Sequence, residues 1–187
     1  MGGVATPLEV LVVCTGNLCR SPVAERLLAD RLGGRHTVRS AGMHGLDGSD
    51  MDPYAAAELA RRGASAAGFR SRRLRRADVQ RADLVLTMTT AHRSAVLAEE
   101  PAALSRTFTL KEFAHLLQAA AAGGGAGATA ASIGELARRR STATLDDYDV
   151  VDPIGEPAHV HAEVAAEIEA AVDVIAARLG RSGPRLS

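Results

Sequence analysis

Residues 8–14, Leu-Glu-Val-Leu-Val-Val-Cys, form a nearly continuous apolar run, and a helix start follows within a few residues. A strand apolar on both faces must be buried on both faces. That is the situation of a parallel strand covered by helices. Ser21-Pro22 opens the first helix, with Ser21 as cap and Pro22 at the first helical position; Val23, Leu27, Leu28 and Leu32 give it an apolar stripe, and Gly33-Gly34 ends it. The alternation then repeats. Residues 36–40 predict a second strand, and Asp52-Pro53 caps a helix to about Arg62 that Gly63 stops. Residues 83–88 predict a third strand with a helix over 91–99, and residues 106–110 a fourth that runs into a helix from Lys111. A long helix over 158–179 carries Val160, Val164, Ile168, Ala171, Val172 and Ile175 on one face. The expected class is α/β: three layers, α/β/α, around a central parallel four-stranded sheet.

Composition narrows the setting. The 187 residues, 47% hydrophobic, predict one domain over 1–187 with a packed core. With 22 basic and 22 acidic side chains the chain lacks the basic footprint of a general nucleic-acid binder. No run approaches the roughly 18 apolar residues of a membrane span, and residues 1–7 do not read as a secretory signal. Two cysteines, Cys14 and Cys19, are too few for a disulfide scaffold, so the expected location is cytoplasmic. Residues 119–149, with Gly123-Gly124-Gly125-Ala126-Gly127, read as a low-complexity Gly/Ala-rich insertion, a surface linker or a substrate lid, with one helical turn around 133–140. The arginine blocks at 70–76 and 138–140 read as solvated surface.

The chemistry is concentrated in residues 13–22, Val-Cys-Thr-Gly-Asn-Leu-Cys-Arg-Ser-Pro. Cys14 falls at the carboxyl end of the first strand, where open α/β sheets place ligands. Thr15, Gly16, Asn17, Leu18 and Cys19 then make a loop that can wrap a tetrahedral oxyanion with inward N–H groups, ahead of a helix N-terminus. Gly16 is expected to supply a backbone angle other residues avoid, and Arg20 a planar fork for two phosphate oxygens. The same field favours a thiolate on Cys14, ready to attack phosphorus. A lone strand cysteine would otherwise read as a small buried hydrophobe.

This segment resembles the signature loop of the low-molecular-weight protein tyrosine phosphatases, and the resemblance continues along the chain. Ala24-Glu25, Ser40-Ala41-Gly42, residues 82–88 with His92, residues 108–113 and Asp152-Pro153 match further family elements in order. The resemblance implies Cys14 as nucleophile, Arg20 as phosphate clamp and Asp152 as general acid and then base. It implies Asn17 and Ser40 as loop supports and Ser21 as the hydroxyl bonded to the thiolate. Pro153 would stiffen the acid's loop. Asp146, Asp147, Asp149 and Glu156 are competing carboxylates without the Pro and the family match. Cys19 resembles the second cysteine with which some members protect the nucleophile as a reversible disulfide; a structural role is the other reading. His92 is expected on the helix surface rather than as a base. His159 and His161, two apart on a helix, do not point at one metal, so neither metal nor cofactor is expected: Arg20 and the backbone amides carry the charge stabilisation.

The implied partner is a phosphorylated protein, with inorganic phosphate as product and neither nucleic acid nor membrane. Leu18 faces the leaving group and suits an aryl ring; the protein-arginine phosphatase branch, similar around residues 109–113, carries a small polar residue there. Typical tyrosine phosphatases place aromatics after the Asp-Pro pair, where this chain has Ile154, with Tyr54 and Tyr148 as other candidate walls. Phosphoarginine or a small phosphomonoester is the alternative substrate. Arsenate reduction by the thioredoxin-coupled route needs cysteines downstream of Cys19, and there are none. A non-catalytic phosphate-binding module would not need Cys14, Arg20 and Asp152 together.

Overall fold

A computed structural model of the chain describes residues 6–122, 130–141 and 144–180. Four strands form one parallel sheet: β1 (Glu9–Cys14), β2 (Thr37–Gly42), β3 (Leu84–Thr87) and β4 (Thr107–Thr109), in the order β2-β1-β3-β4. Chain order reverses direction at β1, which pairs with β2 on one side and β3 on the other. The crevice at its carboxyl end is therefore the topological switch point, and Cys14 is the residue there.

Alternate residues of β1 point to opposite layers. Val10, Val12 and Cys14 join a core with α1 (Arg20–Leu32), α2 (Pro53–Arg61), α5 (Leu110–Ala122) and α7 (Ala158–Leu179). Leu11 and Val13 face a smaller core with Val79 of α3 (Arg76–Arg81) and Val96 of α4 (Thr90–Glu99). The three layers follow from this double burial, and α7 buries Val164, Ile168, Val172 and Ile175 as its periodicity predicts.

Several boundaries differ from expectation, each for a tertiary reason. β2 runs to Gly42 because Val13 and Cys14 go on pairing with Ala41 and Gly42. Helix α1 begins at Arg20, with Cys19 as N-cap and no side-chain cap, so Ser21 lies inside the first turn rather than capping it; its hydroxyl is taken by the loop described below. Asp52 caps α2 as expected, accepting from the Tyr54 and Ala55 N–H groups. Helix α5 starts on a reciprocal cap: Thr109 N–H donates to the Glu112 carboxylate, and Glu112 N–H to Thr109 Oγ1.

Within the stretch expected as a linker, α6 (Ala130–Arg138) is longer than the single turn expected and buries Ile133 and Leu136. The Gly-rich run 123–127 lies outside the described residues. Nor is the nearby arginine block simply solvated. Arg140 Nε lies 2.6 Å from the buried Glu112 carboxylate, and its guanidinium stacks 4.5 Å from the Phe108 ring centroid. Among the described residues no helix is long and apolar enough to cross a membrane.

Candidate active site

Between β1 and α1 the loop closes around the Cys14 sulfur. Cys14 Sγ lies 2.9 Å from Ser21 Oγ and accepts the Asn17 N–H at 3.3 Å. Asn17 is the loop's hub: its amide donates to Ser21 Oγ (3.0 Å) and Ser40 Oγ (2.8 Å), and its side-chain oxygen accepts the Arg72 N–H (2.9 Å). Ser40 Oγ in turn donates to Glu25. The three partners of the Asn17 side chain, Ser21, Ser40 and Arg72, come from different parts of the chain, so the loop is fixed from outside as well as within.

One expectation is corrected here. Gly16 does not take a left-handed conformation; Asn17 does, with φ of 57°, a region asparagine tolerates better than most residues. The glycine that matters sterically is Gly42, at the end of β2. A Cβ there would lie 2.8 Å from Asn17 N, Gly16 C and Thr15 O, all backbone. The β2 edge approaches the loop this closely because Met43 N–H donates to Cys14 O and His44 N–H to Thr15 O.

Arg20 is buried, with 4% of its side chain exposed, and its fork spans the site. Nη1 donates to the Val150 carbonyl at 3.0 Å; Nη2 donates to Thr15 Oγ1 at 3.2 Å and to Asp152 at 2.5 Å. The loop of the candidate nucleophile, the candidate clamp and the candidate acid thus form one connected unit. Two of the four competing carboxylates are occupied elsewhere: Asp147 pairs with Lys111, and Asp149 accepts the Thr90 N–H at the start of α4. Lys111, the only lysine in the chain, also binds Glu167 and the Asp149 carbonyl, clasping the acid loop to α5 and α7. Pro153 is buried beside Asp152, and Ile154 N–H turns back to the Asp152 carboxylate.

Three further residues take part that local patterning does not reveal. His92 is not a free surface group: its Nε2 lies 2.9 Å from Thr15 Oγ1 and its Nδ1 2.9 Å from Thr89 Oγ1. Burial, and then the neighbouring Arg20 charge, push its pKa down to about 4, so the ring is neutral at pH 7. Arg72, from the block expected to be solvated, donates Nε to the Ser40 carbonyl and pairs with Asp78 at 3.0 Å. Glu25 completes the Asn17–Ser40 chain. The thiol of Cys19 is pushed up to about 12, first by burial and then by Asp52 and Asp152, and is a neutral group at pH 7. Leu18 is half-buried against the core.

Three apolar side chains near the loop are exposed. Leu46 (78% exposed) follows Gly45, where a Cβ would lie 3.0 Å from the Arg72 carbonyl oxygen and 3.1 Å from that of Gly16; Val151 and Ile154 flank Asp152. Tyr54 leans on His161, with ring centroids 5.2 Å apart. Tyr148 accepts the Leu145 N–H through its hydroxyl and belongs to its own loop.

Residues 9–123 match the family described as Low molecular weight phosphotyrosine protein phosphatase. The chain belongs to that family, and it is a phosphatase. It is 32% identical over 173 residues to a protein-arginine-phosphatase of Geobacillus stearothermophilus, covering 92% of this chain and 97% of that protein. Over 99 residues it is 44% identical to the low molecular weight protein-tyrosine-phosphatase Etp of Escherichia coli strain K12, covering 53% of this chain and 66% of that one. The solved YwlE arginine phosphatase from Geobacillus stearothermophilus superposes with a TM-score of 0.72 at 31% identity, covering 92% of this chain and 93% of that chain.

Proposed function

We propose that this phosphatase hydrolyses phosphotyrosine in proteins through a phosphocysteine on Cys14. The observation that carries the reading is the connected set at the end of β1: Cys14 Sγ held by Ser21 and the Asn17 amide, with Arg20 joined to Asp152 at 2.5 Å. The Cys14 sulfur attacks phosphorus in line with the departing oxygen, the P–O bond breaks, and Asp152 hands its proton to that oxygen. Water then attacks the phosphocysteine while Asp152 takes up a proton. The S–P bond breaks, and inorganic phosphate leaves with Cys14 restored as thiolate.

Arg20 and the loop N–H groups stabilise the equatorial oxygens of the transferring group in both steps. To do so the Arg20 fork turns from Asp152 to the phosphate, which releases the carboxyl group to move the proton. Reduced thiols are required throughout, which fits a cytoplasmic protein.

An aryl ester is supported by the half-buried Leu18 in the loop and by the exposed apolar side chains of Leu46 and of Val151 and Ile154 beside Asp152. Ile154 in place of an aromatic forgoes a stacking contribution of about 0.5–1.5 kcal/mol. A second reading, phosphoarginine, draws on the end-to-end similarity to a protein-arginine-phosphatase. The reading is tested by initial rates on phosphotyrosine, phosphoarginine and phosphoserine peptides side by side. Phosphotyrosine is expected to be hydrolysed fastest; a faster phosphoarginine reaction would replace the first reading by the second.

A further inference from the structure

Where the anion loop meets α1, three side chains that play no part in the steps above converge from separate elements. Cys19 stands at the N-cap of α1, Asp52 at the N-cap of α2, and His161 in the first turn of α7. One ligating atom from each, the Cys19 sulfur, an Asp52 carboxylate oxygen and a His161 ring nitrogen, lies within 4.8 Å of the others. His161 Nδ1 is 3.7 Å from Asp52 Oδ1.

A second observation points to a ligand. The His161 side chain is only 2% exposed, and its Nε2 is buried with no hydrogen-bond partner among the described residues. A buried ring nitrogen without a hydrogen bond costs stability unless something else satisfies it; the orphan is Nε2, and Nδ1 is the nitrogen that faces Asp52. Cys19 and His161 also line one small cleft, walled by Val23, Ala55 and Pro153.

We propose that Cys19, Asp52 and His161 form a binding site for a thiophilic divalent cation of the zinc class. Thiolate, carboxylate and imidazole are its preferred donors, and three protein ligands leave one position for water. With Zn–S of about 2.3 Å and Zn–N of about 2.0–2.1 Å, tetrahedral ligand atoms stand roughly 3.3–3.6 Å apart. The Asp52–His161 pair is close to that spacing already, and the largest separation in the set needs to shrink by about 1 Å. On binding, the Cys19 S–H bond breaks, the S–metal bond forms and the proton goes to solvent. The dipoles of α1 and α2 favour the anionic thiolate and carboxylate that the cation then neutralises. Bound metal would fix the Cys19 side chain one residue from Arg20. The three ligands are far apart in sequence, so their spacing alone does not announce the site.

The test uses Co2+ as a spectroscopic stand-in, added to full-length protein carrying Cys14→Ser, so that Cys19 supplies the only thiolate. A thiolate-to-cobalt charge-transfer band saturating at one equivalent is expected. His161→Gln should weaken binding roughly tenfold or more. So should Asp52→Asn, which keeps the α2 cap because asparagine caps as well as aspartate. No band, or an affinity unchanged in both variants, would overturn the proposal. Because the nucleophile is absent throughout, the outcome is independent of the phosphatase mechanism.

Discussion

Replacing Gly42 by alanine adds one methyl group to the outer wall of the anion loop. Its carbon would meet Asn17 N, Gly16 C and Thr15 O at 2.8 Å, whereas ordinary contacts start near 3.4 Å, so about 0.6 Å must be found. Neither side can give locally. Gly42 is paired with Cys14 across the sheet, and its neighbours Met43 and His44 donate to the Cys14 and Thr15 carbonyls. The loop must therefore shift relative to Cys14 Sγ and Arg20.

Overpacking of this kind costs about 1–3 kcal/mol of stability. A misplacement of about 1 Å in a reacting constellation can cost 10²-fold in rate. The expected loss in kcat/KM on an aryl phosphate is thus roughly 10–100-fold, or about 1.4–2.7 kcal/mol, with the protein still folded by circular dichroism and denaturant titration. A folded Gly42→Ala variant with kcat/KM within about twofold of the parent would refute the claim that this contact sets the loop's position.

Three other outcomes follow from the same geometry. Asp152→Asn should slow hydrolysis of esters with poor leaving groups far more than those with good ones; an equal loss across a leaving-group series would count against proton donation by Asp152. His92, with its pKa pushed from 6.5 to about 4 in the folded chain, leaves the unfolded chain to bind the proton first, so stability falls as pH drops from 6.5 towards 4 and is level above. Solvent screening of the half-buried ring reduces the effect to about 1–2 kcal/mol; urea titrations at pH 7 and pH 4.5 should show that increment in the parent and its absence in His92→Asn. Arg140→Ala removes the cation from the buried Glu112 and from the Phe108 face, and should lower unfolding free energy by about 3 kcal/mol; a change below about 0.5 kcal/mol would mean the ion pair contributes nothing.

Much of this architecture is written in local pattern. The apolar run ending at Cys14, the Asp52-Pro53 cap and the 3.6-residue stripe of α7 each express a short-range rule, and the structure places each where the rule does. What local pattern does not carry is contact across the chain. Asn17 rather than Gly16 takes the left-handed conformation because its side chain is claimed by Ser21, Ser40 and Arg72. Arg72 reads as one more charge in a basic block until Ser40 and Asp78 are seen beside it. His92 looks like a helix-surface histidine, and His161 is two residues from His159 and does not share a metal with it; the first is drawn into the site by Thr15, and the second is buried near Cys19 and Asp52. Helix α6 has an amphipathic face but is only nine residues long and sits among small residues, and Ile133 and Leu136 find their cover in the main core.

The account rests on covalent catalysis by Cys14, and acid-quench trapping tests that most directly. Asp152→Asn protein mixed with excess phosphotyrosyl peptide for milliseconds, then quenched and digested, should yield phosphate on the peptide containing Cys14 and on no other. Turnover that proceeds without a phosphoryl group on Cys14, or undiminished turnover by Cys14→Ser, would contradict it.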